Sequence, residues 1–117
     1  LPNADPENRT MIVEMRTYTL ALGATGRYFK LYGEKGLAVQ KRILGNLVGY
    51  YAVEVGELNQ VVHLWAYDDM DERAKRRAEL WADKEWLAYV AEVGALVLKQ
   101  ENQILTPAPF FKVPALA

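Results

Sequence analysis

The 117-residue chain contains no cysteine, no serine and a single histidine, His63. Without cysteine there can be no disulfide, thiolate-zinc site, iron–sulfur cluster or cysteine nucleophile. Without serine every serine-based triad is excluded. One imidazole per chain leaves no multi-histidine metal site within a single chain; no metal is expected, and no cofactor is expected either. No apolar run approaches the roughly 20 residues that span a bilayer. Neither sign of charge dominates, with 14 Lys+Arg against 15 Asp+Glu and a pI near 5.9. The chain therefore lacks the basic surplus with which nucleic-acid binders track phosphates. The one basic run, Lys75-Arg76-Arg77, lies among Asp71, Glu72 and Glu79 and reads as a solvated helix face.

Half of the residues are hydrophobic, at 51%. A chain of this length fits one domain that buries roughly two thirds of its unfolded surface. Residues 1–10 are polar, with Pro2, Asp5, Pro6 and Glu7. They lack the apolar centre of a signal peptide, and their acidic residues are wrong for a transit peptide. They read as a flexible extension or expression remnant before a domain over 11–110, with a tail over 111–117; a cytoplasmic location is expected.

From Met11 to Leu20 alternating polarity and β-branched residues predict a strand. A helix is expected from Thr25, its cap, to about Leu44, with a bend or close packing against the sheet near Gly33 and Gly36. Gly45-Asn46 stops it. Strands over about 47–55 and 60–67 form an antiparallel hairpin across Gly56-Glu57-Leu58-Asn59. Asp69 with Glu72 resembles a capping box and opens a helix with Met70, Ala74, Ala78 and Trp81 as its buried stripe. Asp83 caps a further helix whose inner face carries Trp86, Tyr89, Val90, Val93 and Val97. A last strand, about 101–105, stops at Pro107, and Phe110 and Phe111 suggest that the tail packs on something.

The order β-α-β-β-α-α-β is a split βαβ arrangement, an α+β fold with a four-stranded antiparallel sheet and helices on one face. In the third strand both faces are apolar, with Val62, Leu64 and Ala66 on one and Val61, Trp65 and Tyr67 beside His63 on the other. A bare sheet face of that kind marks an interface, which predicts a homodimer joined through its sheet faces. In the first strand Val13 and Met15 are expected against the helices, placing Glu14, Arg16 and Tyr18 with His63 and Trp65 on the dimer side. Tyr50 and Glu54 are assigned to that side too. For the last strand Asn102 with Ile104, or Glu101 with Gln103, remain equal choices.

Arg16, Tyr18, Tyr50, His63 and Trp65 would then line a ligand cavity. Arg16 can pair with a carboxylate or hold an enolate. His63 alone exchanges protons near neutral pH without a large perturbation, and Trp65 and Tyr50 supply flat walls for an aromatic ring. Bland roles are available as well. Arg16 can pair with Glu14, the aromatic wall can be dimer core, and surface pairing with Asp69 or Glu72 accounts for Arg73 and Arg77. Trp81 and Trp86 read as core.

Several segments carry a family resemblance. Met11-Ile-Val-Glu-Met-Arg-Thr-Tyr-Thr-Leu20 resembles the opening strand of NIPSNAP-family proteins. So do Asn46-Leu-Val-Gly-Tyr50, Leu58-Asn-Gln-Val-Val-His-Leu-Trp-Ala-Tyr67 with Arg73 following, Trp86, and Leu105-Thr-Pro-Ala-Pro-Phe110. The resemblance spans Met11 to Phe110 and implies a ferredoxin-like fold of the dimeric α/β-barrel superfamily. It implies no activity and brings no catalytic residues. Eukaryotic members are mitochondrial and linked to vesicle transport and mitophagy signalling, roles not carried over to a chain read as a bacterial, cytoplasmic member. Related barrel families include cofactor-free monooxygenases and haem-degrading enzymes, an analogy of fold alone. Three functions follow as alternatives. The first is binding of a small aromatic or anionic molecule. The second is cofactor-free oxygenation or proton transfer, with His63 accepting a proton and Arg16 stabilising an oxyanion. The third is a structural or protein-interaction module.

Overall fold

Alternation from Ile12 to Leu20 builds β1, the centre of the fold. A computed structural model describes residues 11–114; the extension expected over 1–10 and tail positions 115–117 lie outside the described residues. After β1 come α1 (Thr25–Leu31), a π-helical turn (Tyr32–Gly36) and α2 (Leu37–Leu44), then β2 (Asn46–Ala52) and β3 (Gln60–Tyr67). Two helices, α3 (Met70–Trp81) and α4 (Lys84–Val93), lead through a 3-10 turn into β4 (Val97–Leu105). The strands form one antiparallel sheet in the order β2-β3-β1-β4, with the helices packed on one face. The expected α+β, ferredoxin-like architecture is present.

Local chemistry explains most boundaries. Asp69 accepts the Glu72 backbone N–H at 2.8 Å, and Glu72 in turn accepts the Asp68 N–H at 2.7 Å, which closes a capping arrangement. Asp83 accepts the Trp86 N–H at 2.9 Å. Thr25 does not cap: it is the first helical residue, after Ala24 at a cap position without a side-chain bond. Gly45 turns the chain at φ 93°, a conformation that favours glycine.

Of the bend or close packing expected near Gly33 and Gly36, the structure shows a π-helical turn over Tyr32–Gly36 and a close approach at Gly36. A Cβ there would lie 2.8 Å from Tyr32 Cδ1 and 3.1 Å from the Tyr89 ring. The close packing is thus against α4, not the sheet. Alanine usually stabilises a helix by up to about 1 kcal/mol over glycine. At this position overpacking costs about 1–3 kcal/mol. Gly36→Ala is therefore expected to lower the unfolding free energy by about 1 kcal/mol in urea titration, and a gain would show that the two tyrosines yield freely.

Two side assignments are corrected. Trp65 and Tyr67 are buried beneath the helices in one core with Tyr28, Leu44 and Leu80. Register carries Glu14, Arg16 and Tyr18 to the same face, because Glu14 lies opposite Trp65 and Arg16 opposite His63. Val13, Ala66 and half-buried Leu64 instead form a small cluster with the tail residue Val113. The face without helices is therefore that of Val13, Met15, Val62, Leu64 and Ala66, open at Met15, Val62 and Leu64 and covered by the tail at Val13 and Ala66. In α3 the expected stripe Met70, Ala74, Ala78 and Trp81 is exposed, while Arg73, Arg77 and buried Leu80 turn inward. Trp86 is core as expected; Trp81 is half exposed and rests edge-on against it. Phe110 and Phe111 are exposed, and Val113 is the tail residue that packs.

Candidate functional site

Glu14 is the anchor beneath the site. It is fully buried, and its Oε2 accepts Arg16 Nη1 at 3.0 Å, Arg73 Nη2 at 2.8 Å and Asn102 Nδ2 at 2.8 Å. Its Oε1 accepts Arg73 Nε at 3.0 Å. Burial pushes the carboxyl pKa up, but the bonds from Arg73 and Asn102 and the nearby guanidinium charges override it and hold the pKa at about 2. Asn102 thus belongs with Glu14, which resolves the orientation of β4. Arg16 spends its second side on Tyr18, donating from Nε to the phenolic oxygen at 3.0 Å.

His63 sits on β3 between Arg16 of β1 and Tyr50 of β2 in the ladder. An irregularity between Leu47 and Gly49 shifts the β2 register, so that both Leu47 and Tyr50 pack against the core under the helices. The imidazole is 1% exposed. Tyr50 stacks on it at 4.5 Å, and Tyr18 meets it edge-on at 4.8 Å. Trp65 Nε1 donates to His63 Nδ1 at 2.7 Å. An indole nitrogen can only donate, so Nδ1 is the bare acceptor and the proton of the neutral ring is on Nε2. Burial, with help from the Arg16 charge, pulls the pKa of His63 down to about 3. At neutral pH the group is therefore an uncharged hydrogen-bond donor. This departs from the expected proton acceptor, whose free lone pair the tryptophan occupies.

Above this layer a cavity of about 230 Å³ opens between the sheet and the helices α3 and α4. The expected residues Arg16, Tyr18, Tyr50 and His63 line it; Trp65 does not, and stands behind His63. Arg77, Trp86, Tyr89 and Tyr28 complete the walls. The Tyr28 and Tyr50 hydroxyls are 2.6 Å apart, and burial raises both of their pKa values out of the physiological range. Arg77 is half-buried and makes no hydrogen bond or ion pair among the described residues. Burial and then the Arg16 charge lower its pKa. The solvated-face reading fails for it, as does surface pairing for Arg73, which is bound to Glu14. The spacing Arg73-x-x-x-Arg77 was the available signal, since it puts two cations on one helix face.

A sequence model of NIPSNAP proteins matches residues 13–112. The chain belongs to the NIPSNAP family. A NIPSNAP-family structure of unknown function from Agrobacterium tumefaciens is 42% identical, with a TM-score of 0.88 over 91% of this chain and 96% of that one. A NIPSNAP-like domain protein from Burkholderia xenovorans is 41% identical, with a TM-score of 0.88 over 92% and 94%. A NipSnap protein of Caenorhabditis elegans is 32% identical over 91% of this chain. This NIPSNAP chain spans a fifth of that relative's length and two fifths of the NipSnap homolog 3A of Pongo abelii, to which it is 33% identical. A Nitrosomonas europaea structure of the antibiotic-biosynthesis-monooxygenase type, 13% identical with a TM-score of 0.63, shares the fold alone. No helix among the described residues is long and apolar enough to cross a membrane, and none of their His, Asp and Glu form a group of three suited to a metal ion.

Proposed function

We propose that this NIPSNAP chain binds a small acid with a planar ring in the cavity between sheet and helices, as a homodimer joined through the open sheet faces. The observation that carries the binding reading is the charge imbalance at Arg77. Three guanidiniums, Arg16, Arg73 and Arg77, lie around one carboxylate, Glu14, which bonds only the first two, and Arg77 has no anionic partner of its own among the described residues. A partly desolvated guanidinium of this kind is stabilised by a carboxylate or phosphate. Tyr50, Trp86 and Tyr89 supply flat apolar walls. A cavity of about 150 Å³ holds benzene, so about 230 Å³ suits a substituted benzene or a fused pair of rings.

The dimer reading rests on Met15, Val62 and Leu64, an apolar strip on the face that no helix covers, beside Val13 and Ala66, which the tail residue Val113 packs on.

The binding test uses 1-naphthoate with tryptophan fluorescence as the readout, since Trp86 lies in the wall. The acid is expected to bind, and neutral 1-naphthalenemethanol to bind at least about tenfold more weakly, the scale of one charge-assisted hydrogen bond. Arg77→Gln should weaken 1-naphthoate about tenfold and leave the alcohol unchanged. Equal binding of acid and alcohol would remove the anionic part of the reading.

A further inference from the structure

On two residues that line the cavity a buried N–H group has no acceptor among the described residues: His63 Nε2 and Trp86 Nε1. Each is a donor, the first because Trp65 holds Nδ1 and the second because an indole nitrogen has no other capacity. A buried donor left without an acceptor costs about 1–3 kcal/mol, and native interiors rarely keep two in one place. The wall also carries Arg77, unpaired among the described residues, and Arg16, committed to Glu14 and Tyr18. A carboxylate that pairs bidentately with the guanidinium spends both oxygens there and leaves the imidazole donor unmatched.

We infer that the ligand carries, besides its acidic group, a carbonyl, enolate or phenolate oxygen that accepts from His63 Nε2–H, and that Trp65 is the positioning residue that fixes this tautomer. Trp65 is wholly buried and never touches the ligand. Its role is to occupy Nδ1 so that the imidazole cannot turn a lone pair toward the cavity. Ligands that present N–H or C–H groups at that point are rejected, because they leave the donor unpaired. This refines the proposed acid-binding role and rests on it.

The test has two arms. In the first, nitrogen-15 NMR of labelled protein at pH 7 is expected to show His63 with a protonated Nε2 and a bare Nδ1. In Trp65→Phe the two tautomers should mix. A protonated Nδ1 in the native chain would overturn the inference without any ligand. The second arm compares the 2-, 3- and 4-acetylbenzoates with the isopropenylbenzoates of the same geometry, which replace C=O by C=CH2. At least one acetyl isomer should bind about tenfold more tightly than its counterpart. His63→Gln, which keeps a donor, should retain the preference; His63→Leu should lose it while still binding the isopropenyl acid. If the two series bind equally, the acceptor inference fails and acid binding stands. If no acid of either series binds and 1-naphthoate also fails, both are overturned.

Discussion

Glu14→Gln is expected to lower the unfolding free energy by about 3–5 kcal/mol, the cost of breaking a buried charge cluster by removing one partner. The carboxylate is wholly buried and receives four hydrogen bonds from three side chains on β1, α3 and β4. It therefore ties the middle strand of the sheet to its neighbour β4 and to the helix above. Glutamine fits the space but leaves Arg16 and Arg73 with uncompensated charge and turns two N–H groups toward existing donors. Urea unfolding at fixed chain concentration measures the loss, since association would otherwise enter the result. A loss below about 1 kcal/mol would show that the cluster behaves like an exposed pair.

The same cluster sets an acid limit. The unfolded Glu14 carboxyl titrates near 4.5 and the folded one near 2, so on acidification the unfolded chain takes up this proton first. Its contribution is complete above pH 4.5 and is lost as pH falls toward 2, a total of about 3 kcal/mol at 1.36 kcal/mol per pH unit. His63 acts in the same direction at higher pH. Its ordinary value is 6.5 and its folded value about 3, so unfolding binds a proton throughout that interval and stability falls as pH drops below 6.5. The stability–pH curve should therefore decline in two stages. Glu14→Gln should flatten only the stage below 4.5, and His63→Gln only the part that starts at 6.5.

Glu14 also explains why the strand sides are not legible in the sequence while the fold is. Period-two alternation locates β1 and β3, and the glycine–asparagine turn joins the hairpin, whichever side the polar residues face. The choice of side assumes that charge marks solvent. Here Glu14, Arg16, Arg73 and Asn102 satisfy one another in the interior, and the apolar positions Val13, Met15 and Leu64 take the open face. The α3 stripe was misplaced for the same reason, because its inward residues Arg73 and Arg77 look like surface. Within the site, Arg16, Tyr18, Tyr50 and His63 were legible from strand parity. Arg77, Tyr28 and Tyr89 come from helices whose rotation over the sheet no local pattern fixes. The register irregularity beside Val48 leaves no mark in composition either.

Leu64→Lys is expected to convert the proposed dimer into a monomer at micromolar chain concentration, raising the dissociation constant at least about a hundredfold. Leu64 lies opposite Met15 on β1 and Gly49 on β2, on the face that no helix covers. Four strands at about 4.8 Å spacing and nine residues at about 3.3 Å give that face on the order of 600 Å² per chain. Two such faces reach at most about 1,200 Å², the lower end of stable interfaces, and the tail already covers the Val13–Ala66 end of each, so the association has little surplus to absorb a defect. A two-fold axis presents the substitution twice, and each lysine left unpaired in a covered apolar contact costs several kcal/mol. The side chain points away from Trp65 and the helix-side core, so the variant should stay folded by circular dichroism while its light-scattering mass halves. Leu87→Lys, on the exposed outer side of α4, should leave the mass unchanged. Phe110 and Phe111 stand exposed on the tail that Val113 pins to this same face, where they can add apolar area at its margin. Truncating both to alanine should weaken association in the same direction and by less. A native chain that is monomeric at these concentrations, or a Leu64→Lys chain that remains dimeric, would rule out pairing through this face.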